Sequence, residues 1–199
     1  MKNAVVIAAI ETIRNKEGKV VRLSDTFLDD SKTWKGDHRR TFETKILDCR
    51  TYKELPSPMT GLWEGLAAAF GDRGIDRLAI CCHSDWEGLY IFSKIRKELS
   101  EDDRYITLNR EWAGITFNPG AKIEIHGCQA GGRDGVRMSD CIAATIANKS
   151  GAIVLAYTSK TSQQRRPDGG YYQKADRGKM VEFVPAKRAD TPDGGADGL

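Results

Sequence analysis

A cysteine and a histidine, each placed where an apolar run breaks, are the residues of this chain best suited to covalent chemistry. Cys128 lies in Ile123-Glu124-Ile125-His126-Gly127-Cys128-Gln129-Ala130-Gly131-Gly132, and His83 ends the run Leu78-Ala79-Ile80-Cys81-Cys82 and precedes Ser84. A thiolate nucleophile with an imidazole base is the simplest chemistry these types support, namely acyl transfer through a covalent intermediate. The two residues are 45 positions apart, so only the fold can bring them together. Both runs have the length and branched-aliphatic content of buried strands. In an open α/β sheet, sites gather beyond the carboxyl ends of the strands. The small residues after Cys128 allow close backbone approach, and N–H groups at such a turn suit an oxyanion.

The elements that must position this pair alternate along the chain. Residues 4–10 read as a first core strand, 19–23 as a strand or hairpin partner, and 43–49 as a further short strand. The polar stretch 24–41 reads as an exposed loop or short helix. After Pro56 and Pro58, residues 62–70 carry helical apolar spacing and close near Gly71 and Gly74. Residues 88–92 read as a hairpin strand or as the start of a helix through 99. A helix is expected from Val136 to Asn148, a buried strand over 152–157, a polar loop over 159–170 and a last strand near 180–184. Residues 189–199, rich in Gly, Asp and Pro, read as a disordered tail. Strands separated by helices imply a mainly parallel sheet covered on both faces.

With 199 residues and 40% hydrophobic content the chain can bury one sizeable core. Thirty-one basic against 28 acidic residues leave a net charge of +3, with no basic stripe interleaved with aromatics, which argues against a nucleic-acid partner. Five cysteines without framework spacing favour reduced thiols and a cytoplasmic setting. The amino-terminal apolar stretch is short and runs directly into Glu11 and Arg14, so it reads as a strand rather than a leader. No apolar run approaches bilayer length, and no membrane partner is expected.

Three other chemistries weigh less. Cys81, Cys82, His83, His126 and Cys128 offer zinc-ligand types, but neighbouring strand residues point to opposite faces and no Cys-x-x-Cys pair is present. A cysteine phosphatase loop needs five residues between cysteine and arginine, whereas Arg133 follows Cys128 after four. The glycines at 131, 132 and 135 lack the lysine and Ser/Thr of a phosphate loop.

The order apolar strand–His83–small residue, then apolar strand–Gly127–Cys128 with small residues after it, resembles the caspase/gingipain/legumain group of cysteine peptidases (clan CD). It is most similar to the bacterial branches with a Gly-Cys pair, and the resemblance covers roughly residues 60 to 160. It implies a single caspase-like α/β domain over residues 1–188, with a mainly parallel sheet flanked by helices on both faces. It further implies Cys128 as nucleophile, His83 as general acid/base, and the backbone N–H groups of Ser84 and Cys128 as oxyanion donors. Glycine is the usual residue after the histidine, so Ser84 is a departure. In this group the residue two before the cysteine lines the pocket for the side chain preceding the cut. Here that residue is His126, with Ser159 and Thr161 as a further wall. A histidine there argues against a strongly arginine-directed pocket, unless Glu124, Asp85 or Glu87 supplies charge. The resemblance implies a protein or peptide substrate and no cofactor or metal, and it leaves room for an activating partner or oligomer. The alternative is a non-catalytic binding or assembly module on the same fold.

Overall fold

The computed structural model describes residues 1–92, 98–132, 137–167, 169–175 and 180–186. In chain order its strands are β1 (Lys2–Ala8), β2 (Glu11–Arg14), β3 (Val20–Ser24), β4 (Phe42–Asp48), β5 (Ile75–Cys81), β6 (His83–Ser84), β7 (Gly88–Tyr90) and β8 (Tyr105–Thr107). They continue with β9 (Phe117–His126), β10 (Ile153–Tyr157), β11 (Thr161–Arg165), β12 (Tyr171–Ala175) and β13 (Met180–Phe183). The helices are α1 (Thr26–His38), α2 (Pro58–Ala68), α3 (Glu101–Arg104) and α4 (Ile142–Ser150).

Six strands form the central sheet in the order β13-β10-β9-β5-β1-β4. Five are mutually parallel, and β13 runs antiparallel at one edge. The expected α/β class with a mainly parallel sheet is therefore met. β5 is apolar on both sides, as a parallel sheet covered on both faces requires, with Leu78, Ala79 and Ile80 fully buried, whereas β9 alternates fully buried Ile123 and Ile125 with partly buried Glu124 and His126. α2 begins on Pro58, whose missing N–H costs nothing in a first helical turn. It turns Met59, Leu62 and Leu66 into the core, and α4 does the same with Ile142, Ala143, Ile146 and Ala147.

Three expectations are corrected. Residues 24–41, read as a loop or short helix, hold the 13-residue α1, which packs on β1, β4 and β5. Its inward stripe is Phe27, Asp30, Ser31 and Trp34, so half of the buried face is polar and apolar periodicity is weak. Ser31 tolerates that position because its hydroxyl donates to Phe27 O at 2.8 Å. The expected polar loop 159–170 instead contains β11, which pairs with β12 as an antiparallel hairpin. The hairpin leans on α1, where Tyr171 N–H donates to Thr33 Oγ1 at 3.1 Å. The helix expected from Val136 begins at Ile142, after a short 3₁₀ turn over Met138–Asp140. Positions 93–97 of the helix suggested through 99, position 136 and the tail 189–199 lie outside the described residues. Among the described residues no helix is long and apolar enough to cross a membrane.

Candidate active site

The carboxyl ends of β1, β5, β9 and β10 meet at one edge of the sheet, and each is followed by a polar side chain of the site. β1 runs on to Glu11, β5 to His83, β9 to Cys128 and β10 to Thr161. Strand order reverses at β1 and β5, where crevices of open α/β sheets form. β5 and β9 are in parallel register, with Ile80 opposite Ile125 and Cys81 opposite His126. Cys82 N–H donates to His126 O at 3.3 Å, continuing the contact past the last strand pair. His83 and Cys128 each lie two residues beyond the last paired positions, Cys81 and His126.

Glycine is required where these ends touch. A Cβ on Gly127 would fall on the Ser84 hydroxyl and 2.9 Å from Cys82 O. A Cβ on Gly131 would lie 3.2 Å from the carbonyl oxygens of both Ala156 and Tyr157. Between them Gln129 takes a left-handed conformation, φ +53°. Its N–H donates to Ser159 O at 3.0 Å, and Gly131 N–H donates to Tyr157 O at 2.9 Å. The turn bearing Cys128 is thus bolted to the segment following β10.

Cys128 is partly exposed, whereas the other four cysteines are buried. Burial pushes the Cys81 thiol up to about 12, with Asp30 adding to the rise, and drives Cys82 well above its ordinary value. Those thiols are held protonated, and as strand neighbours they point to opposite faces. The Cys128 sulfur accepts a hydrogen bond from Thr161 N–H at 3.3 Å and lies 3.5 Å from Thr161 Oγ1. Its own N–H has no partner among the described residues.

His83 is half-exposed. Its Nε2 pairs with Glu11 Oε2, and its ring meets Phe27 edge-on at 5.1 Å between centroids. Glu11 is itself fixed, since its Oε1 accepts from Thr12 N–H at 2.6 Å. Ser84, the departure from glycine, is buried and donates its hydroxyl to Cys128 O at 2.7 Å. The residue after the histidine therefore grips the loop bearing Cys128 with its side chain.

Along β9, Glu124 and His126 share one face, the side of α1, and Cys128 lies two residues beyond the strand beside Thr161 of β11. Glu124 accepts from Trp34 Nε1 at 2.9 Å, pairs with Arg77 at 2.5 Å and with His126 Nε2 at 3.3 Å. Burial alone would raise its carboxyl, but the hydrogen bonds and charges of His126, Trp34 and Arg77 prevail and hold it at about 2. His126 lines a cavity of about 190 Å³ with Asp30, Thr33, Trp34 and Asp37 of α1, Cys81, Tyr157, and Arg166 and Tyr171 of the hairpin. Ser159 does not line it; its carbonyl serves the Cys128 turn instead. Asp85 and Glu87 border a different depression, where Asp85 accepts from the Tyr90 hydroxyl. Among the described residues no three His, Cys, Asp or Glu side chains gather as they would for a metal ion.

Glu11 and the carboxylates of α1 were not among the residues singled out from the sequence. A signal for Glu11 was present, an acid immediately beyond the first core strand, at the same edge as His83.

The protein is an α/β-sheet molecule with a cysteine and a histidine at adjacent strand ends. No protein-family model matches the chain, and no curated protein is significantly similar to it. Among solved structures it is similar to a caspase-1 from Spodoptera frugiperda, with 14% identity, a TM-score of 0.34 and coverage of 85% of this chain. The chain spans 65% of that structure's length.

Proposed function

We propose that the protein is a cysteine endopeptidase in which Cys128 attacks a peptide carbonyl with His83 as its acid/base. The observation that supports this reading is that β5 and β9 are neighbouring parallel strands, and the histidine and the one partly exposed cysteine each follow closely on their ends, where the Ser84 hydroxyl donates to Cys128 O. Glu11 acts as a positioning residue. By accepting Nε2–H it leaves Nδ1 as the basic nitrogen. Thr161 N–H donates to the Cys128 sulfur, and the Cys128 N–H, without a partner among the described residues, is a donor for the oxyanion.

In the first half-reaction His83 takes the thiol proton as sulfur bonds to the carbonyl carbon. The C–N bond then breaks, the amine leaves with the proton from His83, and a thioester remains. Water, deprotonated by His83, attacks the thioester; the C–S bond breaks and the thiol is restored. Ser84 holds the Cys128 carbonyl and so fixes the turn that presents the sulfur.

The test is alkylation by iodoacetamide and by peptidyl electrophiles, followed by mass spectrometry. Modification is expected at Cys128, with a rate reduced at least ~10-fold in His83→Ala and reduced less in Glu11→Gln, whose pH profile shifts. Rates at Cys128 that ignore both substitutions refute the dyad.

A further inference from the structure

The β2–β3 hairpin is an exposed arm rooted at the candidate dyad. It is a two-stranded sheet of its own, bonded to no strand of the central sheet. At its root Glu11 stands opposite Ser24, and the Glu11 carboxylate pairs with His83. Its turn is fully formed: Asn15 Oδ1 accepts from Lys19 N–H at 2.9 Å, Asn15 N–H donates to Lys19 O at 2.9 Å, and Gly18 takes a left-handed φ of +78°. Residues 15–22 are nevertheless all exposed, Val20 by 45% and Val21 by 57%. Lys16, Lys19 and Arg22 stand against Glu17 alone, so this segment carries +2 of the chain's net +3. None of these three cations enters an ion pair among the described residues.

We infer that this arm is an exosite for an acidic stretch of the protein substrate, held about five residues from the cleaved bond. The inference rests on the peptidase reading above and adds a contact that selects the substrate away from the cut. The span follows from the geometry: Lys16 lies five positions beyond Glu11, roughly 15 Å at about 3.3 Å per residue, which an extended peptide covers in about five residues. The register slips between Ile13 and Arg14 and leaves Val21 without a cross-strand partner. Such a bulge blunts an edge against a further strand, so recognition falls to the side chains. Three uncommitted cations draw carboxylates, and Val20 and Val21 add apolar contact between them. Residues 11–24 include no aromatic side chain on which a base could stack, which disfavours nucleic acid as the anion. Two valines are also too small an apolar surface to enter a bilayer, which disfavours a lipid.

The experiment uses the full chain and peptide pools randomised over six central residues. Each pool is flanked, before or after the centre, by alternating Glu and Asp or by alternating Gln and Asn, and cleavage is read by mass spectrometry. Acidic flanks on one side are expected to lower KM at least ~5-fold at low salt with kcat unchanged, because the contact is made equally before and during the reaction. The gain is expected to vanish at about 0.5 M salt. Lys16→Gln/Lys19→Gln/Arg22→Gln, all at exposed positions, is expected to bring the acidic-to-neutral ratio to about one, and the corresponding triple glutamate variant to favour Lys flanks. Cys128-dependent cleavage that ignores the flanks overturns the exosite and leaves the peptidase reading standing. Binding of the three cations to anionic phospholipid vesicles or single-stranded DNA, with no gain from acidic flanks, overturns it equally. If no pool is cleaved and no electrophile labels Cys128, the peptidase reading fails and the inference falls with it.

Discussion

Gly127→Ala measures how tightly the two strand ends are joined. The new methyl falls on the Ser84 hydroxyl, 3.0 Å from Ser84 Cβ and 2.9 Å from Cys82 O. Ser84 can rotate, but only by releasing Cys128 O, and Cys82 O belongs to backbone tied to His126. Overpacking of this kind costs about 1–3 kcal/mol. The lost hydrogen bond adds about 1 kcal/mol, for a total of roughly 2–4 kcal/mol, or about 4–16 °C in Tm for a chain of this size. Ser84→Gly removes the hydroxyl and Cβ but not Cys82 O, so in that background Gly127→Ala should cost ~1–2 kcal/mol less. Urea denaturation of the four proteins gives the coupling, and the rate of Cys128 alkylation reports the position of the sulfur. A Tm within ~1 °C of wild type with unchanged alkylation would refute the described packing. A full penalty in the Ser84→Gly background would show that Ser84 is not the obstructing group.

Glu124 should mark the acid limb of stability. Its carboxyl is held at about 2 against an ordinary 4.5, so its contribution is complete above pH 4.5 and lost as pH falls towards 2. That contribution is roughly 3 kcal/mol, and Glu124→Gln should flatten the urea-midpoint curve across this window; a parallel curve speaks against it. Trp34→Phe keeps the ring but removes the donor to Glu124 and should destabilise by about 1.5–3 kcal/mol in the same assay. Gln129→Gly relieves a left-handed non-glycine residue and should raise stability by up to ~1 kcal/mol, while a loss of stability would mean the side chain has a role of its own.

The inner strands were legible in the sequence because a sheet covered on both faces needs near-continuous apolar runs, which β1, β5 and β10 supply, while β9 shows strand alternation. That alternation also placed Glu124 and His126 on one side. α1 was hidden because its buried stripe includes Asp30 and Ser31, residues whose burial depends on partners distant in sequence. With α1 misread, the carboxylates of the cavity were invisible, and the charge of the pocket was judged from position 126 alone. Thr161 was expected only as a pocket wall. Its backbone contact with the Cys128 sulfur depends on β11, whose residues Thr161 to Arg165 are polar and carry no apolar alternation. Glu11 was visible but served only to argue against a leader segment.

The file of polar side chains along β9 also bears on how the chain finds its register. Sliding β9 by one residue would swing Glu124 and His126 towards the face now filled by Ile123 and Ile125, and would turn those isoleucines towards α1. Glu124 would then lose Arg77 and Trp34 together and enter an apolar layer without compensation, which costs several kcal/mol. Mispaired sheets are thereby excluded during folding by Glu124 and its partner His126, the latter a lining residue of the cavity. Substitutions that make this column apolar should yield a chain that still collapses but settles into more than one strand alignment.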